Sequence, residues 1–97
     1  MRLKKIEVEH IKRSAKECFG ENVKIYLFGS RVDDKKLGGD IDLYIETDIS
    51  ENILRRKLKM LVELEKLLGE QKIDIVINNF LYDKYIYQVA KDEGIRL

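Results

Sequence analysis

The chain has 97 residues, of which 44% are hydrophobic and 38% charged, with nineteen Lys and Arg against eighteen Asp and Glu. That length holds one domain; the apolar share excludes a disordered chain and the charge density a membrane protein. A formal net charge of +1 leaves no basic footprint for direct nucleic-acid binding. A single cysteine, Cys18, excludes an internal disulfide, and with one histidine it cannot build a zinc site. No apolar run approaches the ~18–20 residues of a membrane span. The basic start Met1-Arg2-Leu3-Lys4-Lys5 leads into no apolar stretch of a signal peptide. The expectation is a cytoplasmic protein. Proline is absent, so no Pro-rich linker divides the chain.

In chain order, Ile6, Ile11, Ala15, Cys18 and Phe19 recur at helical spacing and predict a helix over 6–19, closed by Gly20. Val23 to Phe28 is a β-branched and aromatic run, read as a strand that stops at Gly29-Ser30. Residues 31–39 are polar with a Gly38-Gly39 pair and predict a loop with room for one helical turn. Asp40 to Glu46 alternates carboxylate or polar with apolar residues and predicts a second strand. Ser50 is placed to cap a long helix that runs to Leu68 and closes at Gly69. Lys72 to Ile77 predicts a third strand, broken by Asn78-Asn79, and Phe80 to Lys91 a last helix. The expected fold class is α/β (α+β): a three-stranded mixed sheet with flanking helices, one domain over 1–97.

Three features of this order carry chemistry. Gly29-Ser30 ends the first strand, Asp40 and Asp42 start the second, and Asp74 sits between two isoleucines in the third. Residues two apart on a strand share a face, so Asp40 and Asp42 project together. Asp74 joins them if the third strand lies beside the second. Three carboxylates on one face repel unless cations neutralise them. Hard, oxygen-preferring Mg²⁺ or Mn²⁺ suits such a set. Glycine lets backbone approach a ligand closely, and adjacent N–H groups with the Ser30 hydroxyl can hold phosphate oxygens. Phosphate, divalent metal and three aspartates together point to two-metal phosphoryl or nucleotidyl transfer.

The stretch FGSRVDDKKLGGDIDLYIE followed by KIDIVI resembles the nucleotidyltransferase superfamily that includes the DNA polymerase β palm. That signature is a hydrophobic residue, Gly-Ser, a spacer, Asp-hydrophobic-Asp and a later third carboxylate. Here the spacer between Ser30 and Asp40 is nine residues, which is short. The spelling and size resemble the minimal nucleotidyltransferase (MNT) branch, whose members include antitoxins of HEPN–MNT toxin–antitoxin pairs. The resemblance covers nearly the whole chain. It implies that Gly29, Ser30 and Arg31 contact the triphosphate of ATP, Arg31 being a phosphate or partner contact. It implies that Asp40 and Asp42 bind two Mg²⁺ ions, and that Asp74 binds the catalytic one and assists deprotonation of the acceptor. Gly38-Gly39 departs from the family pattern of a polar or small residue and Ser before the first Asp, and is expected to loosen the loop.

The remaining signals read more plainly. His10 is expected to be a surface or half-buried helical residue and Cys18 a core residue. Lys35-Lys36 is ordinary loop charge unless phosphate lies near. On the long helix Ile53, Leu54, Met60, Leu61, Leu64, Leu67 and Leu68 form one face, widened by Leu58 and Val62 beyond half the circumference. A helix on a sheet needs only about a 100° stripe. The excess is covered either by another helix of this chain or by a partner chain or second copy. Phe80, Tyr82, Tyr85 and Tyr87 are expected as half-buried packing residues of the last helix.

These readings imply a Mg²⁺-dependent transferase that moves AMP from ATP to an acceptor hydroxyl. By resemblance, the acceptor is a tyrosine on a helical HEPN-type partner. Two alternatives stand beside it: an inactive MNT-fold module that binds its partner by contact, and a small-molecule transferase of the antibiotic-modifying kind.

Overall fold

A computed structural model describes residues 1–36 and 38–97. Its elements are α1 (Lys5–Phe19), β1 (Lys24–Phe28), a 3-10 turn (Gly29–Val32), β2 (Ile41–Glu46), α2 (Ile53–Leu68), β3 (Ile73–Asn78), α3 (Tyr85–Glu93) and β4 (Ile95–Arg96). The expected mixed α/β architecture holds, with one correction to the strand count. The sheet has four strands in the order β3-β2-β1-β4. The addition is two residues long, too short to leave a periodic signal, and it pairs antiparallel with Tyr26 and Leu27. The helical turn expected within 31–39 begins earlier, at Gly29, and ends at Val32; Leu37 lies outside the described residues.

β1 and β2 pair antiparallel, and β2 and β3 pair parallel across the α2 crossover. Alternation along β2 divides the sheet into two faces. Ile41, Leu43 and Ile45 are fully buried, in one cluster with Ile25 and Leu27 of β1, Ile11 and Phe19 of α1, and Met60 and Leu64 of α2. The other face carries Asp42, Tyr44 and Glu46. Its middle is crossed by α3, whose Tyr87 ring lies 6.0 Å from that of Tyr44, with Tyr26 5.7 Å beyond.

Helix ends depart from the sequence reading for local reasons. Ser50 does not cap α2: Asn52 holds the N-cap position, without a side-chain capping bond and in the left-handed region at φ 54, which asparagine tolerates better than most residues. The last helix begins at Tyr85, not Phe80, because Asn78 and Asn79 turn the chain first. Their side-chain oxygens accept the Phe80 and Leu81 N–H groups at 2.9 and 3.3 Å. The tyrosine expectation is therefore corrected. Tyr87 packs, but Phe80 and Tyr82 lie ahead of the helix in solvent, and Tyr85, in its first turn, is 84% exposed.

α1 covers part of the wide apolar face of α2. Ser14 donates to Glu63 at 2.8 Å, and Arg56 donates to the Cys18 carbonyl at 2.8 Å, which ties the two helices at two points. Cys18 is buried as expected, and burial pushes its thiol pKa up. His10 is half-buried on α1 with Nδ1 unpartnered. Leu54, Leu58, Val62 and Leu67 remain exposed, Leu54 by 69%. No described helix is long and apolar enough to cross a membrane.

This division makes a mutational contrast along one helix. Leu64→Ala should cost about 2–5 kcal/mol in urea unfolding, because it empties a site in the closed cluster. Val62→Ala, two residues away, should stay within about 0.5 kcal/mol. Equal losses would mean that Val62 is covered in solution.

Candidate active site

Three strand ends meet at one end of the open sheet face. β1 arrives with its C-terminus, while β2 and β3 both begin there, since they run parallel to each other and antiparallel to β1. Asp42 is in register with Phe28 on one side and Asp74 on the other. Neighbouring strands lie about 4.8 Å apart and in-register residues share a face, so the Asp42 and Asp74 side chains rise side by side.

The Gly-Ser turn closes over them. Gly29 sits at φ 77, and a Cβ there would overlap the Asp42 carboxylate. Only glycine allows backbone this near. Ser30 meets the other flank of the loop: Gly39 is at φ 91, and a Cβ on it would overlap Ser30 Oγ. The expectation that Gly38-Gly39 loosens the loop is corrected at Gly39, which is the close contact that sets Asp40 beside the turn. Gly38 has open space around it.

Asp40 is partly exposed and pairs with Lys72 at 3.7 Å. Asp42 is half-buried and Asp74 exposed. The Asp42 carboxyl is pushed above its ordinary value by burial first, then by the charges of Asp74 and Asp40, with Lys72 opposing. Lys35 and Lys36 are exposed in the turn after the 3-10 segment. Arg31, expected as a phosphate or partner contact, directs its guanidinium to the Gly39 carbonyl, the Arg2 carbonyl and the Gln71 side chain.

Among the described residues, no three carboxylate, histidine or cysteine side chains converge tightly enough to cage one ion as they stand. The donor set nevertheless fits a divalent cation. Asp40, Asp42 and Asp74 offer only hard oxygen ligands. Burial, and after it the charges of Asp74 and Asp40, raise the Asp42 carboxyl, and a cation between the strands would oppose both.

The geometry agrees with the comparison of the whole chain. A family model of the nucleotidyltransferase domain matches residues 8–97. The chain belongs to the nucleotidyltransferase domain family. A nucleotidyltransferase-type fold thus underlies the four-stranded sheet and three helices, and general nucleotidyl transfer follows from membership. Nucleotidyltransferases of this family use nucleoside triphosphates and divalent metal ions. No curated protein matches the chain.

Sequence reasoning passed over two groups of residues. Arg2 and Gln71 brace the turn and carry no motif. The second group is a buried polar network at the far end of the same sheet face. The Glu46 side chain, 6% exposed, accepts from Tyr44 Oη at 2.8 Å and Lys91 Nζ at 3.3 Å, and Asn78 donates to Tyr44 Oη at 3.0 Å. Burial foremost pushes the Tyr44 hydroxyl pKa up to about 12. These groups floor an open cavity of about 460 Å³ with Phe80, Tyr82 and Tyr87 on its walls. The signal was present in the alternation Asp42, Tyr44, Glu46, which puts all three on one face.

A nucleotidyltransferase with this charge arrangement trades stability for its site. A carboxyl whose folded pKa is raised destabilises the folded state in full above that pKa; the cost shrinks as pH falls through it and is gone below the unfolded-state value. Asp42→Asn should therefore raise the melting temperature at pH 7 without metal, and the gap from wild type should close in acid. Mg²⁺ or Mn²⁺ should raise the wild-type melting temperature and leave Asp42→Asn nearly unmoved. Gly29→Ala should abolish the metal response, because its Cβ and the Asp42 carboxylate need the same space.

Proposed function

We propose that this nucleotidyltransferase transfers AMP from ATP to a hydroxyl on a protein partner, by resemblance a tyrosine of a HEPN-type helical protein. The observation that supports it most is the in-register pairing of Asp42 with Asp74 beneath the Gly29 turn. That arrangement puts two carboxylates beside backbone N–H groups suited to phosphate oxygens.

Gly29 and Ser30 hold the β- and γ-phosphates through backbone N–H and hydroxyl donors. Asp40 and Asp42 would hold the two divalent cations, and Asp74 would share in holding the one that serves the acceptor. Such ions, when bound, neutralise charge on the reacting phosphoryl group and the leaving pyrophosphate. Asp74, the most exposed of the three, orients the incoming hydroxyl and takes up its proton. The new bond joins the acceptor oxygen to the α-phosphorus; the bond to the β-phosphate oxygen breaks and pyrophosphate leaves.

A protein acceptor is favoured by the exposed stripe of Leu54, Leu58 and Val62 on α2, spaced as one side of a helix docks against another. The same stripe would serve an inactive module that binds by contact, or a second copy of this chain.

The test uses radiolabelled ATP with Mg²⁺, with and without a HEPN-type protein encoded beside this chain. Wild type should label the partner, and Asp40→Asn/Asp42→Asn should label nothing while still binding it. A tight complex with no label from wild type would make this a binding module. Turnover on small hydroxyl compounds without any protein would make it a small-molecule transferase.

A further inference from the structure

We propose that Arg31 and the N-terminal segment Met1–Lys4 form a brace that holds the phosphate-binding turn and Asp40 in working position. This rests on the catalytic reading of Ser30 and Asp40 given above. The Arg31 guanidinium uses all three of its nitrogens within the chain. Nε donates to the Gly39 carbonyl at 3.1 Å, Nη1 to the Arg2 carbonyl at 3.0 Å, and Nη2 to Gln71 Oε1 at 3.0 Å. Those three acceptors lie in the loop ahead of Asp40, in the N-terminal segment and in the connection ahead of β3. One planar side chain thereby fixes the approach to two of the three aspartates.

Arg2 completes the brace from the opposite direction. Its Nη2 donates to the Ser30 carbonyl at 3.0 Å and its Nε to the Asp33 carbonyl at 2.9 Å. The Arg2 N–H donates to the Arg31 carbonyl at 2.8 Å, so each arginine's backbone and side chain engage the other's segment. The Met1 ammonium pairs with Asp34 further along the same loop. Behind Arg31 the chain of bonds continues into α1. Gln71 Nε2 donates to Glu7 at 3.1 Å, and Glu7 accepts from the Lys4 N–H at 2.9 Å. Burial pushes the Glu7 carboxyl up, but the Lys4 N–H, the Gln71 amide and the charges of Lys4 and Arg31 outweigh it and hold it below its usual value.

The brace has a physical purpose. The 3-10 turn has no fully buried residue and meets the core only through half-buried Val32, so packing alone holds it weakly. Without ties the turn and the loop to Asp40 would sample many conformations, and positioning would be lost. Lysine cannot replace arginine here, because one compact ammonium cannot span acceptors on three separate segments.

The test compares wild type, Arg31→Ala, Arg31→Lys and Arg2→Ala by amide hydrogen exchange of residues 29–40 and by transfer kinetics at several Mg²⁺ concentrations. Arg31→Ala and Arg31→Lys should both speed exchange in 29–40 while the amides of α2 and β2 stay protected. They should lower kcat about a hundredfold, with part of the loss recovered at high Mg²⁺ and little change in KM for nucleotide. Arg2→Ala should do the same in weaker form. Unchanged exchange in 29–40 would overturn the brace, and a loss confined to nucleotide KM would make Arg31 a direct phosphate contact instead. If wild type itself transfers no nucleotide, the functional reading falls, and the exchange measurement still decides the brace.

Discussion

The alternation along β2 is the constraint from which the rest of the molecule follows. Its six residues must fill a closed core on one side and carry Asp42, Tyr44 and Glu46 on the other. Ile41, Leu43 and Ile45 fix the strand in the core, and no shift by one residue is tolerated, because it would bury Asp42 and expose three large apolar side chains. Core packing therefore sets the register that places Asp42 opposite Asp74. The repulsion between them is small beside the burial that holds their strands together. A site that opposes folding locally survives because it shares a strand with the best-packed part of the structure.

The loop side of the site follows a different logic. Gly29 and Gly39 let two backbone segments close in on Asp42 and Ser30, which gives proximity without rigidity. Rigidity comes from arginine donors on carbonyl groups. Strand-borne aspartates need only the sheet to place them, whereas Ser30 and Asp40 depend on contacts made by residues distant in sequence.

That difference explains what could be read in advance. Elements held by periodic burial were legible: α1, β1, β2, α2 and β3 stand where their apolar spacing put them, within a residue or three at the ends. So was the placement of Asp42 beside Asp74, since it needs only strand order and alternation. The structure adds what rests on single contacts. β4 has two residues and no period. Asn78 reads as a breaker, yet it ends β3 buried against Tyr44, because a short amide can serve a strand end and a turn at once. The start of α3 is set by two asparagine turns that compete with the helix pattern of the tyrosines. Arg31 was visible as part of the motif, but its acceptors are a carbonyl at residue 2, another at 39 and a side chain at 71, and no local pattern links those positions.

The strand order has one more implication. β4 covers the free side of β1, while β3 stands at the edge of the sheet with one side of its backbone unpaired. Such edges invite strands from other molecules, and charged side chains along them discourage it. β3 is otherwise rich in isoleucine and valine, and Lys72 and Asp74 supply the charge at its leading end. Asp74, beside Asp42 in the sheet, thus also sets a negative charge at the open edge of β3.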